Sequence, residues 1–282
     1  MTKVGVIGAG IMGCGVAQNL AQSGLEVVLL DVSEKILQES RERITNDLRF
    51  RSLFNSSEIL EASDSIMQRI HFGTDYSLLR DVDFVVENAT ENWEVKREIY
   101  TIIDDVCKEE CIFMINTSCI SITKLAALTK RADKVIGTHF MNPVAVKRAV
   151  EVIKGYHTSN SCIHAVEKFM RRINKEIIIV NDYPGFVSNR ISHLFINEAA
   201  FVVQDQVALP EDVDAIFRKC YGHAMGPLET GDLIGLDTVV HSLNILYESY
   251  QDSKFRCCPL LKKMVDAGLY GRKSGQGFYV YP

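Results

Sequence analysis

The chain has 282 residues, 47% of them hydrophobic and 24% charged, with a formal net charge of −5. That length accommodates one large domain or two ordinary ones, and the acidic balance disfavours a nucleic-acid partner, which would call for a basic face. No uninterrupted apolar run approaches the length of a membrane span, and the first strand starts so close to Met1 that no leader peptide is expected. The eight cysteines are scattered apart from Cys257 and Cys258, and none form a CxxC pattern. Cys107 and Cys111 flank a turn without a histidine cluster, so the expectation is no metal site and reduced thiols in a cytoplasmic protein.

The rest of the chain is organised around its first thirty-one residues. Val4–Ile7 reads as a buried strand, then come Gly8, Gly10 and Gly13, a helical stretch from Gly15 to Ser23, and a second apolar run, Val27–Leu30, ending on Asp31. Gly8 permits the tight turn, Gly10 lets the backbone approach a pyrophosphate, and Gly13 allows close packing of helix on strand. The helix N-terminus would present its N–H groups to the anion. Asp31 stands where a carboxylate accepts hydrogen bonds from an adenosine ribose. Gly8, Gly10, Ile11, Met12, Gly13 and Asp31 are therefore candidate cofactor-binding residues. A 2′-phosphate beside Asp31 would be repelled, and Val32 and Ser33 offer no neutralising arginine, so the cofactor is read as NAD rather than NADP.

Ser33–Phe54 is expected to be one long helix, with Ser33 as N-cap, and residues 57–69 a second. An α/β rhythm then resumes. Strands are expected at Ile70–Phe72, Asp83–Asn88, Cys111–Asn116, Val135–His139, Ala149–Ile153 and Ile177–Val180, with helices at Val95–Val106 and Thr123–Leu128. This pattern implies a mostly parallel, doubly wound sheet of Rossmann type, covered on both faces. Past the turn signal Asp182-Tyr183-Pro184-Gly185 only helical patterns remain: Phe186–Gln206, Pro210–Tyr221, Glu229–Tyr250 and Pro259–Ala267. The expected domains are thus 1–184, α/β, and 185–282, smaller and all-α. The apolar character of the latter suggests burial in a homodimer.

Ligands of doubly wound sheets bind beyond the carboxyl ends of the strands, which singles out Glu87–Glu91, Asn116-Thr117-Ser118 and His139–Pro143; Ser188-Asn189-Arg190 opens the first helix past the turn. Together VIGAGIMGCGVAQ, VVENATENWEVK, INTSCISITKLA, GTHFMNPV, VEVIKG, YPGFVSNRI, MGPLETGDLIGLDT and GRKSGQGFYVY run in order along nearly the whole chain, residues 47–68 excepted. The chain resembles the 3-hydroxyacyl-CoA dehydrogenases, especially the short bacterial 3-hydroxybutyryl-CoA type. The resemblance implies an N-terminal NAD domain, a helical domain that mediates dimerisation, and an active site in the cleft between them. It places the catalytic histidine at His139, its acidic partner at Glu151, and the polar pair around the reacting oxygen at Ser118 and Asn189. It also implies cofactor contacts at Glu91, Lys96, Asn116, Ser118, Asn142 and Lys273. Surface lysines are commonly only solvated, and Glu87 fits a place near the cofactor or one facing solvent equally well.

Chemistry agrees with these roles. Oxidising a secondary alcohol removes a hydride to the nicotinamide and a proton from the hydroxyl, and the proton needs a base that works near neutral pH. Histidine supplies it, with a carboxylate on its other nitrogen to hold the tautomer. His71, His157, His164, His193, His223 and His241 have no motif support. In the helical hairpin the family offers a serine and lysines to the CoA nucleotide, whereas here Asp47 takes the serine position, within LRFRSLFNSS. Cys119 replaces a second serine as a small neutral residue. The expected activity is NAD-dependent interconversion of 3-hydroxyacyl and 3-oxoacyl thioesters carried on CoA. Three other readings compete with it. One keeps the chemistry on an acyl carrier protein docked by Arg41, Arg43, Arg49 and Arg51. The others are a non-catalytic crystallin-like protein, opposed by the intact site residues, and a sugar dehydrogenase of the gulonate type.

Overall fold

The computed structural model describes residues 2–54, of which 51–54 by backbone alone, and 61–282. The described chain divides into two compact units, Met1–Asp182 and Tyr183–Pro282.

The first unit is built on one eight-stranded sheet. Its strands are β1 (Lys3–Ile7), β2 (Glu26–Leu30), β3 (Ile70–Gly73), β4 (Phe84–Glu87), β5 (Ile112–Ile115), β6 (Val135–His139), β7 (Ala149–Lys154) and β8 (Glu176–Asn181). They lie in the order β3-β2-β1-β4-β5-β6-β7-β8. From β3 to β6 every pairing is parallel. β7 then runs antiparallel to β6, and β8 follows β7 in parallel. The order reverses between β1 and β4, which opens a crevice at their carboxyl ends.

The near-continuous apolar strands follow from burial of the sheet on both faces. On one face Val4, Val6, Val27, Leu29, Val86 and Met114 pack with Val16, Ala17 and Leu20 of α1 (Ile11–Gln22). On the other, Tyr100 of α4 (Trp93–Val106) meets Phe113 edge-on at 6.0 Å. Between these two helices come α2 (Glu34–Phe54) and α3 (Ser63–Gln68). The second helix of the hairpin is thus shorter than the expected 57–69, of which 57–60 lie outside the described residues.

After α5 (Ile122–Ala126) the structure adds an element not expected from the sequence. α6 (Asn160–Arg172) joins β7 to β8, its N-terminus capped by the Ser159 hydroxyl, which accepts from Cys162 N. Cys162, Val166, Phe169 and Met170 fall on one stripe and close the sheet core. The charges Glu167, Lys168, Arg171 and Arg172 lie on the outer face, so the helix is amphipathic and its apolar stripe is legible in the sequence.

The second unit is helical, with α7 (Ser188–Gln204), α8 (Pro210–Cys220), α9 (Pro227–Ile234), α10 (Leu236–Tyr250) and α11 (Pro259–Asp266). The single helix expected over Glu229–Tyr250 is two. Gly235 has φ 102, a conformation outside any helix and nearly closed to L-residues, so α9 stops there and α10 departs in a new direction. Leu228, Leu236, Val239 and Leu243 bury against Ile196 and Ala200 of α7. Among the described residues no helix is long and apolar enough to cross a membrane.

Candidate active site

The crevice beside β1 is shaped for a dinucleotide. Gly8 has φ +88, and a Cβ there would stand 2.7 Å from the Asn88 carbonyl oxygen. A Cβ on Gly13 would lie 1.7 Å from the Gly8 carbonyl oxygen, so only glycine lets α1 approach β1 this closely. A Cβ on Gly10 would meet nothing within 4 Å, which leaves room at the turn for a bulky anion. No side chain caps the N-terminus of α1, so the first-turn N–H groups at Ile11, Met12 and Gly13 are directed at that space. Ile11 is exposed and Met12 half-buried.

Next to this turn is a cavity of about 560 Å³ lined by Gly8, Gly10, Asp31, Val32, Tyr76 and Ile99, among others. Its charged lining residues are Asp31 and Glu98, both acidic. The Asp31 carboxylate accepts from Ala9 N at 2.7 Å and Val32 N at 2.8 Å. These bonds hold it at the strand end while leaving acceptor capacity for a ribose hydroxyl pair. The shape, the apolar walls and the acidic rim fit NAD. Burial and the nearby acids Glu98, Glu87 and Asp31 push the Tyr76 phenol up from its ordinary pKa, consistent with negative charge gathered around this end of the crevice.

The catalytic candidates come together through strand register. β6 and β7 pair antiparallel with His139 directly opposite Glu151, and residues so paired project to the same face. His139 Nδ1 lies 3.1 Å from Glu151 Oε2, both residues 8% exposed. On the far side of the ring, Nε2 is 3.3 Å from the Ser118 hydroxyl at the end of β5. With Nδ1–H donated to the carboxylate, Nε2 is left as the acceptor. The line Ser118–His139–Glu151 therefore has a base at its centre and a hydroxyl at its mouth. The loop that carries Ser118 is secured by Glu91. One carboxylate oxygen of Glu91 accepts from the Thr117 hydroxyl, from Ser118 N at 3.1 Å and from Cys119 N at 2.9 Å.

Other expected site residues take part in hydrogen bonds and ion pairs of the fold. Asn116 donates to Asn88 Oδ1 at 2.7 Å and accepts from Phe140 N at 3.2 Å, tying together the ends of β4, β5 and β6. Lys96, expected to touch the cofactor, is fully buried. Its ammonium donates to Glu87 Oε1 at 2.7 Å and Oε2 at 2.8 Å, so it serves a buried carboxylate. Glu87, equally buried, does not face solvent; it lies behind the cavity wall, where its carboxylate accepts from the N–H of the lining residue Ala89 at 2.6 Å. Burial raises its pKa and the ammonium opposes that rise. Asn142 is exposed and precedes a cis proline, lining a smaller cavity with Arg43 and Asp47 of α2.

In the second unit, Asn189 stands in the first turn of α7, where its carbonyl accepts from His193 Nδ1 at 2.9 Å. Lys273 is paired with Asp237 at 2.6 Å. Cys119 is buried. Arg41, Arg43, Asp47 and Arg49 are exposed, and Arg41 covers the Phe72 ring at 4.2 Å. The side chain of residue 51 lies outside the described set. Among the described residues no group of three or more His, Cys, Asp or Glu is disposed to hold a metal. Two features escape sequence reasoning: the service of Thr117 and Glu91 to the Ser118 loop, and the burial of the Glu87–Lys96 pair. Only their spacing at strand ends hints at either.

Known proteins resemble the chain along its whole length. Residues 3–183 match the family model described as 3-hydroxyacyl-CoA dehydrogenase, NAD binding domain, and residues 185–281 match that of the C-terminal domain. The chain is similar to a probable 3-hydroxybutyryl-CoA dehydrogenase of Deinococcus radiodurans, with 43% identity over 99% of this chain and 100% of that protein. It is 36% identical to the human mitochondrial hydroxyacyl-coenzyme A dehydrogenase over 99% of this chain and 90% of the relative. A crystal structure of (S)-3-hydroxybutyryl-CoA dehydrogenase from Ralstonia eutropha superimposes with a TM-score of 0.95 at 42% identity, covering 100% of this chain and 99% of that one. The chain belongs to the 3-hydroxyacyl-CoA dehydrogenase family and is an NAD-binding oxidoreductase.

Proposed function

We propose that this enzyme interconverts short-chain 3-hydroxyacyl-CoA and 3-oxoacyl-CoA, with His139 as the general acid and base. The observation that carries the reading is the Ser118–His139–Glu151 line, with Nε2 at hydrogen-bond range of a hydroxyl. NAD, when bound, accepts the hydride in oxidation and supplies it in reduction. The residues handle the proton. Nε2 takes it from the substrate hydroxyl, and Glu151, fixed on Nδ1, stabilises the imidazolium that results. In the reductive direction the imidazolium returns the proton to the oxygen. Ser118 holds that oxygen through its hydroxyl, and Asn189 is assigned to the same oxygen by its motif. The adenosine half is assigned to the Asp31 cavity and the pyrophosphate to the turn of Gly8, Gly10 and Gly13, with Ile11 and Met12 contributing backbone N–H groups. Asn142 and Lys273 are assigned to the cofactor by motif alone. We further propose a cytoplasmic homodimer, on the basis of the reduced-thiol composition and the exposed apolar side chains of the helical unit, Val207, Leu209 and Ile216 among them.

A second reading moves the acyl group to a carrier protein. It is favoured by the exposed arginines of α2, Arg41, Arg43 and Arg49, and by Asp47 beside them. NADH oxidation with acetoacetyl-CoA, run beside acetoacetyl on a carrier protein, decides between the two. Turnover of the CoA ester that falls by about 10²–10⁴ in His139→Ala supports the first. Turnover confined to the carrier-bound ester supports the second. Full activity in His139→Ala would overturn the assignment of the base.

A further inference from the structure

Glu91 sits on the loop after β4, where its motif suggests a cofactor contact, and its hydrogen bonds give its carboxylate a second task within the loop. A single carboxylate oxygen, Oε1, accepts from the Thr117 hydroxyl, from Ser118 N at 3.1 Å, from Cys119 N at 2.9 Å and from Ile120 N at 3.3 Å. The Thr117 hydroxyl oxygen also accepts from Ile120 N at 3.0 Å. Three successive backbone N–H groups thus converge on one anionic acceptor. They belong to the turn between β5 and α5, where no helix or sheet ladder would otherwise bond them. Bonds to an ionised acceptor are about twice as strong as neutral ones, so the turn is pinned in one conformation. That conformation puts the Ser118 hydroxyl 3.3 Å from His139 Nε2.

We infer that Glu91 is a positioning residue for the reaction: its carboxylate gathers the Thr117–Ile120 turn and thereby aims the Ser118 hydroxyl at the catalytic imidazole. The inference rests on the proposed role of Ser118 and His139. Replacing the carboxylate by an amide keeps one acceptor but removes the charge and brings two N–H donors against a nest of donors. The turn then relaxes and the hydroxyl moves off its aim.

The test is a double-mutant cycle on the full-length enzyme with acetoacetyl-CoA and NADH, using Glu91→Gln, Ser118→Ala and the pair. NADH affinity is measured separately by fluorescence titration. The expected result for Glu91→Gln is a loss in kcat/KM on the order of tenfold to a hundredfold, clearly larger than any loss in NADH affinity. Glu91→Asp should recover part of the loss. In the Ser118→Ala background Glu91→Gln should cost less than about twofold, since there is no hydroxyl left to aim.

Losses that multiply in the double variant would overturn the inference, as would an NADH affinity that falls in step with kcat/KM in both backgrounds. If Glu91→Gln fails to fold, Thr117→Val removes one donor to the same oxygen and keeps the charge. A smaller loss, again absent in the Ser118→Ala background, is expected; a loss undiminished there would overturn the inference. Full activity in both Ser118→Ala and His139→Ala would instead sink the underlying reading of the site, an outcome distinct from multiplying losses.

Discussion

The proposed role of His139 as base depends on the different engagement of its two ring nitrogens. Glu151 meets Nδ1 at 3.1 Å within a nearly closed environment, and Ser118 meets Nε2 at 3.3 Å. Little solvent remains to compete for the carboxylate, so the ring is held in one orientation and its charged form has a fixed counter-ion. Glu151→Gln preserves shape and removes that charge. It is expected to lower kcat by about a hundredfold or more while NADH affinity in fluorescence titration stays unchanged. A wild-type kcat in this variant would show that the carboxylate is dispensable to the imidazole. The pattern VEVIKG marks Glu151 through its family, but an acid on a strand carries no such message by itself. What makes it a partner is the pairing of Glu151 with His139 across two antiparallel strands.

At the scale of elements, the loops that bear the chemistry are held by polar groups buried at strand ends. Glu87 closes β4, accepts from Ala89 N at 2.6 Å and receives both bonds from the Lys96 ammonium of α4. The pair joins sheet and helix directly beneath the loop that carries Glu91. Both side chains are 0% exposed, so removing one leaves an uncompensated charge in the interior. Glu87→Ala is expected to destabilise the protein by about 3–5 kcal/mol, read as a lowered midpoint in urea unfolding. Replacing both partners with apolar residues of similar size, Glu87→Leu with Lys96→Met, should recover most of that loss. A single variant as stable as wild type would disprove the interior ion pair. Element boundaries elsewhere show where local signals run out. The helix over residues 229–250 reads as continuous because its apolar period is unbroken, and a single glycine with φ 102 divides it. α6, by contrast, carries a regular helical signal, with Cys162, Val166, Phe169 and Met170 at i, i+4, i+7 and i+8, that the strand-by-strand reading passes over.

At the scale of the whole molecule, cofactor choice is set by the charge of the crevice, with Asp31 at the point where a 2′-phosphate would sit. The cavity beside the glycine turn has Asp31 and Glu98 as its charged lining residues. A 2′-phosphate would have to sit against the Asp31 carboxylate. Two like charges about 4 Å apart near a protein surface repel by up to about 4 kcal/mol, equivalent to roughly a thousandfold in affinity. The enzyme should therefore prefer NADH over NADPH strongly, and Asp31→Asn should narrow the ratio by at least about tenfold, mostly by weakening the preference against NADPH. Dissociation constants for both nucleotides measure this directly, and an unchanged ratio would move the discrimination away from Asp31.

Much of this protein is determined by the sequence alone. The strand, the three glycines, the helix and the closing acid specify a dinucleotide turn because each residue type answers a local steric or electrostatic demand. The alternation of apolar runs and amphipathic stretches specifies a wound sheet, because both faces must be covered. The ordered motif set specifies the family. The tertiary structure decided what depends on contacts distant in sequence. It ran β7 against β6, which brought Glu151 opposite His139. It folded Lys96 inward onto Glu87, and it turned three N–H groups of the Ser118 loop toward Glu91 across 27 to 29 positions of chain. Strand register and the destination of a buried charge are set by which partners the whole fold brings within reach, and no local pattern of residues carries that information.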